Sequence, residues 1–238
     1  MIDPRTALEA IGQLPDGEID LAEAALQLAR ADAPEADWQA ARAHLSELAR
    51  GAVELAAEIE EFDIGGRARA LRKLLVSVHG YEGDAFTYDD LANANLIHVI
   101  ERRRGLPVAL GILWLHCAHA AGWGAHGIDF PGHFLIGLAG RKAQVVMDPF
   151  SGGTSLDSDD LKTLFRQVAG EGAKPPPGIL RPMQRRAILL RLQNNIRSRQ
   201  LQAGHLRDAL ACTETMLAIA PDNTSLQEEA AELRARLN

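Results

Sequence analysis

The chain has 238 residues, 47% of them hydrophobic and 24% charged, which is ordinary globular composition with enough length for one sizeable core or two small ones. A formal charge of −7 argues against general nucleic-acid binding, because a protein that tracks phosphates needs a net basic face. No run approaches the roughly 18 apolar residues of a membrane span, the start Met-Ile-Asp-Pro-Arg does not resemble a leader, and Cys117 and Cys212 are far apart in helical patterns, so a cytoplasmic chain without disulfides is expected.

Residues 17 to 62 have helical spacing, with Ile19, Leu21, Ala24, Ala25, Leu26 and Leu28 on one face and Asp37 capping a second segment that contains Trp38, Ala41, Leu45 and Leu48. Gly65-Gly66 breaks the pattern, Arg67 to Val78 resumes it, and His79 to Asp84 is rich in turn residues. Leu91 to Arg103 is helical again, with Asn93 as its cap or turn residue. Pro107 to Ala121 is an apolar helix with proline in its first turn and Gly122 at its end, the expected asymmetry for a buried helix. Three short strands follow at 125–130, 133–138 and 143–147, and helix returns over 156–168 after Asp157 or Ser158.

The second and third strands read as a β-hairpin. With Gly140-Arg141 at a type II′ tip, His133 falls opposite Asp148, where Cβ atoms are roughly 4.5–5.5 Å apart and a carboxylate could orient an imidazole. The competing reading is a buried hydrogen-bonded pair that braces two strands. Ser151 and Thr154, in Ser-Gly-Gly-Thr, read as loop residues rather than nucleophiles. His98, His116, His119 and His126 lack Cys or Glu partners at zinc spacing, so no metal and no cofactor is expected from them. Arg102-Arg103-Arg104 is expected to serve its own helix C-terminus and solvent. Arg181, Arg185, Arg186, Arg191, Arg197 and Arg199 lack interleaved aromatics and are expected to pair with the acidic N-terminal helices.

Glu171 to Gly178, with three consecutive prolines, has linker composition. Helices at 189–202, 206–220 and 225–237, broken by Gly204 and by Pro221-Asp222-Asn223, have the spacing of a helical repeat. A tetratricopeptide unit of about 34 residues starting at Leu190 places Ile196, Gly204, Ala209 and Leu217 where the pattern wants them, while Gln193, Arg197, Thr213 and Met216 depart from it. A lone unit cannot bury its own face and should pack on the rest of the chain. The expected organisation is an N-terminal helical region (1–64), a core (65–170), a linker (171–180) and tetratricopeptide-like helices (181–238).

The segments 99–110, Ala-Ala-Gly-Trp (120–123), Pro-Gly-His-Phe (131–134) and Asp-Pro-Phe-Ser-Gly-Gly (148–153) together resemble the transglutaminase-like superfamily, in particular its SirB-type branch with a tetratricopeptide region after the core. The resemblance implies an α+β fold: N-terminal helices, a papain-like core of one buried helix on a small antiparallel sheet, and a C-terminal helical repeat. It also implies a nucleophilic cysteine at the start of the buried helix, then His133 and Asp148 on successive strands. Pro107 occupies the cysteine's place, as counting back from Gly122 shows, and proline offers neither proton nor lone pair. Cys117 lies ten residues along the same helix, about 15 Å away at 1.5 Å per residue. The expected function is therefore non-catalytic binding or regulation, in line with the link of SirB-type proteins to bacterial regulation. The partner expected is a protein, with room for a small ligand in the remnant cleft and with neither nucleic acid nor membrane. The alternative is a hydrolase or acyl transferase using His133 and Asp148 as a base and its orienter.

Overall fold

A computed structural model describes residues 2–141 and 143–237. Aspartates start the first four helices. Asp3 accepts from the Thr6 amide ahead of α1 (Pro4–Gly12), and Asp20 caps α2 (Leu21–Asp32). Asp37 caps α3 (Trp38–Ala56), as its sequence position indicates, and Asp63 caps α4 (Ile64–Arg72). The glycine pair expected to break the helical pattern instead sits in the first turn of α4, where Asp63 accepts from the Gly66 amide at 2.7 Å and offsets the glycines' poor propensity.

A π-helical turn at Lys73–Val78 continues α4. The chain then forms β1 (Glu82–Gly83), a 3-10 turn at Leu91–Asn93, α5 (Leu96–Arg102) and β2 (Arg104–Gly105), with β1 and β2 paired in parallel. The expected single helix from Leu91 is thus split. Asn95 rather than Asn93 caps α5, accepting from the Ile97 and His98 amides, while Asn93 is fully buried and donates to the Thr87 carbonyl.

The next helix, α6 (Pro107–Ala120), is apolar on every side and accordingly buried on every side. Its neighbours include α2, α3, α5 and a four-stranded antiparallel sheet of order β3 (Ala125–Phe130), β4 (His133–Ala139), β5 (Gln144–Asp148), β6 (Thr154–Leu156). Gly111 allows a close approach to the sheet: a Cβ there would overlap the Phe134 ring. Phe134, Ile136, Leu138 and Met147 join the main core on this face. The other face carries a smaller cluster of Ile128, Phe130, Leu135 and Val146, covered by Phe165 of α7 (Ser158–Ala169).

The hairpin's strands form where expected, but its register does not. Ile136 pairs with Met147 and Ala139 with Gln144, and the Gly140 amide donates to the Ala143 carbonyl at 2.8 Å, so the turn is centred one residue later than Gly140-Arg141. The partner of every β4 residue shifts by two, which keeps each side chain on its face. Apolar alternation therefore cannot distinguish the two registers, and the turn decides. His133 pairs with Phe130 of β3, and Asp148 with Thr154 of β6, rather than with each other.

The last helices are α8 (Arg185–Gln202), α9 (Leu206–Ile219) and α10 (Thr224–Leu237). One apolar cluster runs from Leu8 and Leu26 through Trp114 to Leu192, Met216 and Leu226, joining both ends of the chain to α6. The proline-rich run expected as a spacer is a strap: Ala173, Ile179 and Leu180 pack on the smaller cluster, and the Met183 amide donates to the Gly127 carbonyl at 2.8 Å. Among the described residues no helix is long and apolar enough to cross a membrane.

Candidate functional site

The start of α6 is fixed from below by the β1–β2 pair and by the Leu106 amide, which donates to the Asn93 carbonyl at 2.9 Å. Leu106 supplies no side-chain cap, and Pro107 is the first helical residue. A helix start of this kind presents its positive dipole end to whatever group stands there, but here that group is a pyrrolidine ring.

Beside it lies a charge network that sequence reading missed. The Asp84 carboxylate accepts from the Thr87 hydroxyl (2.6 Å), the Thr87 and Phe86 amides (2.8 and 3.1 Å) and Arg102 (3.2 Å). The Thr87 hydroxyl contributes most to holding its pKa down at about 2. Arg102 also reaches Asp90 at 3.0 Å, Arg103 donates to Tyr81 and His44, and Arg104 pairs with Glu82. The arginine run expected to serve its own helix C-terminus and solvent thus ties α5 and β2 to elements distant in sequence. The signal available was Asp84 followed three residues later by Thr87, an Asx-turn pattern.

His133 opens β4, half-buried, with its ring 6.4 Å from that of Phe130 and its carbonyl accepting from Arg191 at 2.8 Å. Asp148 closes β5 and is buried. Its Oδ1 accepts from the Phe150 and Ser151 amides (2.9 and 3.3 Å) and its Oδ2 from the Ser151 hydroxyl (2.7 Å). No hydrogen bond joins the His133 and Asp148 side chains among the described residues. Asp148 instead folds the following loop into a clasp. Gly153, at φ +71°, lies flat on Trp114 of α6, and Phe150 sits against Gly83 and meets Tyr88 edge-on at 5.9 Å. Thr154 donates to the Ser151 carbonyl at 2.8 Å, so both hydroxyls are loop braces.

Cys117 is fully buried in α6, and burial pushes its thiol up to about 12. Cys212 is also raised by burial, and its thiol donates to Gln193 Oε1 at 3.0 Å. His116 bonds the Leu45 carbonyl, His119 the Ala125 carbonyl and His98 the Glu101 carboxylate, so these three are dispersed among separate partners. The C-terminal arginines pair more widely than expected: Arg191 with Asp129, Arg197 with Glu229 and Arg199 with Asp89. Among the described residues, only the Arg185 and Arg186 amides of this stretch meet an acidic side chain of the N-terminal region, Asp16, at 2.9 Å each.

The site thus combines a buried apolar helix, an antiparallel sheet and an Asp-Pro-Phe loop that clasps the two. Residues 39–194 match the family model described as the transglutaminase-like superfamily, and the chain belongs to that superfamily. Within it, the chain falls in the UPF0162 family. It is 32% identical over 220 residues to a UPF0162 protein of Xylella fastidiosa (strain 9a5c), covering 90% of this chain and 76% of that one. A UPF0162 protein of Vibrio cholerae is 32% identical over 207 residues (86% and 75%), and one of Pseudomonas aeruginosa 27% over 239 (100% and 85%). No solved structure matches the chain.

Proposed function

We propose that this chain is a non-catalytic member of its superfamily, of the SirB-type branch, and that it acts by binding and regulating a protein partner. The observation that carries this reading is Pro107 at the first position of α6, where a cysteine nucleophile would stand. Two further features support it. The buried thiol of Cys117 is held neutral well above physiological pH, so α6 supplies no replacement nucleophile. The Asp148 carboxylate is bonded to its own loop and not to the His133 imidazole. A tetratricopeptide-like unit at the C-terminus fits the succession of α8, α9 and α10, which pack pairwise and are separated at Gly204 (φ +76°) and Pro221.

The test is turnover on panels of amide and ester substrates, with His133→Ala as the reference. The reading expects no rate above that of the variant. Reproducible turnover that His133→Ala abolishes would replace it with the hydrolase or acyl-transferase reading.

A further inference from the structure

Beside Arg103, at the C-terminal end of α5, three metal-competent side chains converge that lie outside the His133 and Asp148 pair. His44 and Glu47 are three residues apart and share one face of α3, with His44 Nδ1 2.8 Å from Glu47 Oε2. His79 follows the π-helical turn and presents its ring edge to that of His44, centroids 5.1 Å apart. One ligand atom from each of the three lies within 4.8 Å of the other two. We propose that His44, Glu47 and His79 form a binding site for a divalent transition-metal ion of the zinc class, with a fourth position left to water.

The geometry is close to what such an ion needs. Bonds of about 2.0–2.1 Å in a tetrahedron put ligand atoms about 3.3 Å apart. The His44–Glu47 pair must open by about half an ångström from 2.8 Å, and the widest pair must close from at most 4.8 Å. Glu47 is exposed and free to adjust, while the His44 side chain is only 10% exposed and held. Burial lowers the pKa of both histidines, so their lone pairs are available at neutral pH. Glu47 and His79, but not His44, also line a cleft of about 480 Å³ whose charged walls are Arg50, Glu54, Glu58 and Lys73, wide enough for the water ligand or a small molecule in its place. His79 is delivered by a π-helical turn, a backbone feature frequent at functional sites, and Arg103 opposite is the only non-glycine residue with positive φ among those described.

Arg103 gives the proposal a distinctive signature. Its guanidinium donates to both His44 Nε2 and the Tyr81 hydroxyl, and since arginine cannot accept, the His44 ring proton sits on Nδ1 and points at Glu47. Metal binding at Nδ1 moves that proton to Nε2, with no net release from the ring. Arg103 must then withdraw from His44 and keep only Tyr81. Arg103 is therefore a competitor of the metal, through both its hydrogen bond and its charge.

Titration of the full chain with Zn²⁺ alone, and with Co²⁺ followed by its visible absorption, tests this. The expected results are one ion per chain, loss of binding in His79→Asn, at least about tenfold weakening in Glu47→Gln, and at least about tenfold tightening in Arg103→Asn, since asparagine tolerates the left-handed backbone. Glu47 is exposed, so the Gln variant keeps the fold and the test stays decisive if a histidine variant does not fold. No stoichiometric binding, unchanged affinity in Glu47→Gln, or weaker binding in Arg103→Asn would each overturn the proposal.

Discussion

Ser151 donates its hydroxyl hydrogen to Asp148 Oδ2 at 2.7 Å, and this bond turns a carboxylate that the family resemblance assigns to a catalytic set into the anchor of a loop. Two backbone amides complete the anchor on Oδ1. Because the acceptor is charged and buried, the pair should be worth more than an ordinary hydrogen bond. A double-mutant cycle of Asp148→Ala and Ser151→Ala should give a coupling of about 1–2 kcal/mol in urea denaturation. Additive losses would show that the bond does not hold the clasp.

The clasp closes on α6 through Gly153. A Cβ there would overlap the indole of Trp114, and its φ of +71° disfavours any side chain. Gly153→Ala should therefore cost about 3 kcal/mol, from overpacking and backbone strain together, and should alter the near-ultraviolet circular dichroism of Trp114. Gly152→Ala is the control: its φ is also positive, at +64°, but nothing crowds its Cβ, so it should lose only the strain component.

The Asp84 carboxylate has a folded-state pKa of about 2 against about 3.9 in an unfolded chain. A depressed carboxylate adds stability above its unfolded pKa and loses it as pH falls through its folded one. The stability difference between the wild type and Asp84→Asn should thus be constant from pH 7 to about 5 and shrink between about pH 4 and 2. A difference independent of pH in that window would mean that Thr87 and Arg102 stabilise asparagine equally well.

Cys117 works in the opposite sense. Its folded pKa is raised to about 12, so its contribution is complete below the unfolded value of about 8.5 and declines as pH rises above it. At pH 10 the wild type should have lost about 2 kcal/mol through this residue, and Cys117→Ala, although less stable at pH 7, should show a shallower decline from pH 8 to 10. Equal slopes would place the thiol in contact with water.

What the sequence discloses depends on how local the cause is. The bounds of α6 follow from Pro107 and Gly122, and the start of α3 from Asp37, because caps and helix breakers act within one turn. The hairpin's strands are legible from their apolar runs, yet its register is not, since a two-residue slip preserves both faces. The helix α1, which the sequence reading did not place, is capped by Asp3 and packs on α9, a partner near the other end of the chain. Arg102, Arg103 and Arg104 look alike in sequence but have five different acidic or ring partners, all non-local. The same holds for the histidines. His44 and Glu47 can be paired from their spacing, whereas His79 joins them only through the path of α4 and its π-helical turn.

The central claim is that no side chain stands ready to attack an acyl group beside His133. Intact-mass analysis of the folded chain after incubation with an excess of an activated ester tests it most directly. Wild type and His133→Ala should carry the same adducts, the background acylation of exposed lysines, with Cys117 and Cys212 buried and unmodified in both. An additional acyl adduct on one non-lysine residue of the wild type, absent from His133→Ala, would contradict that claim.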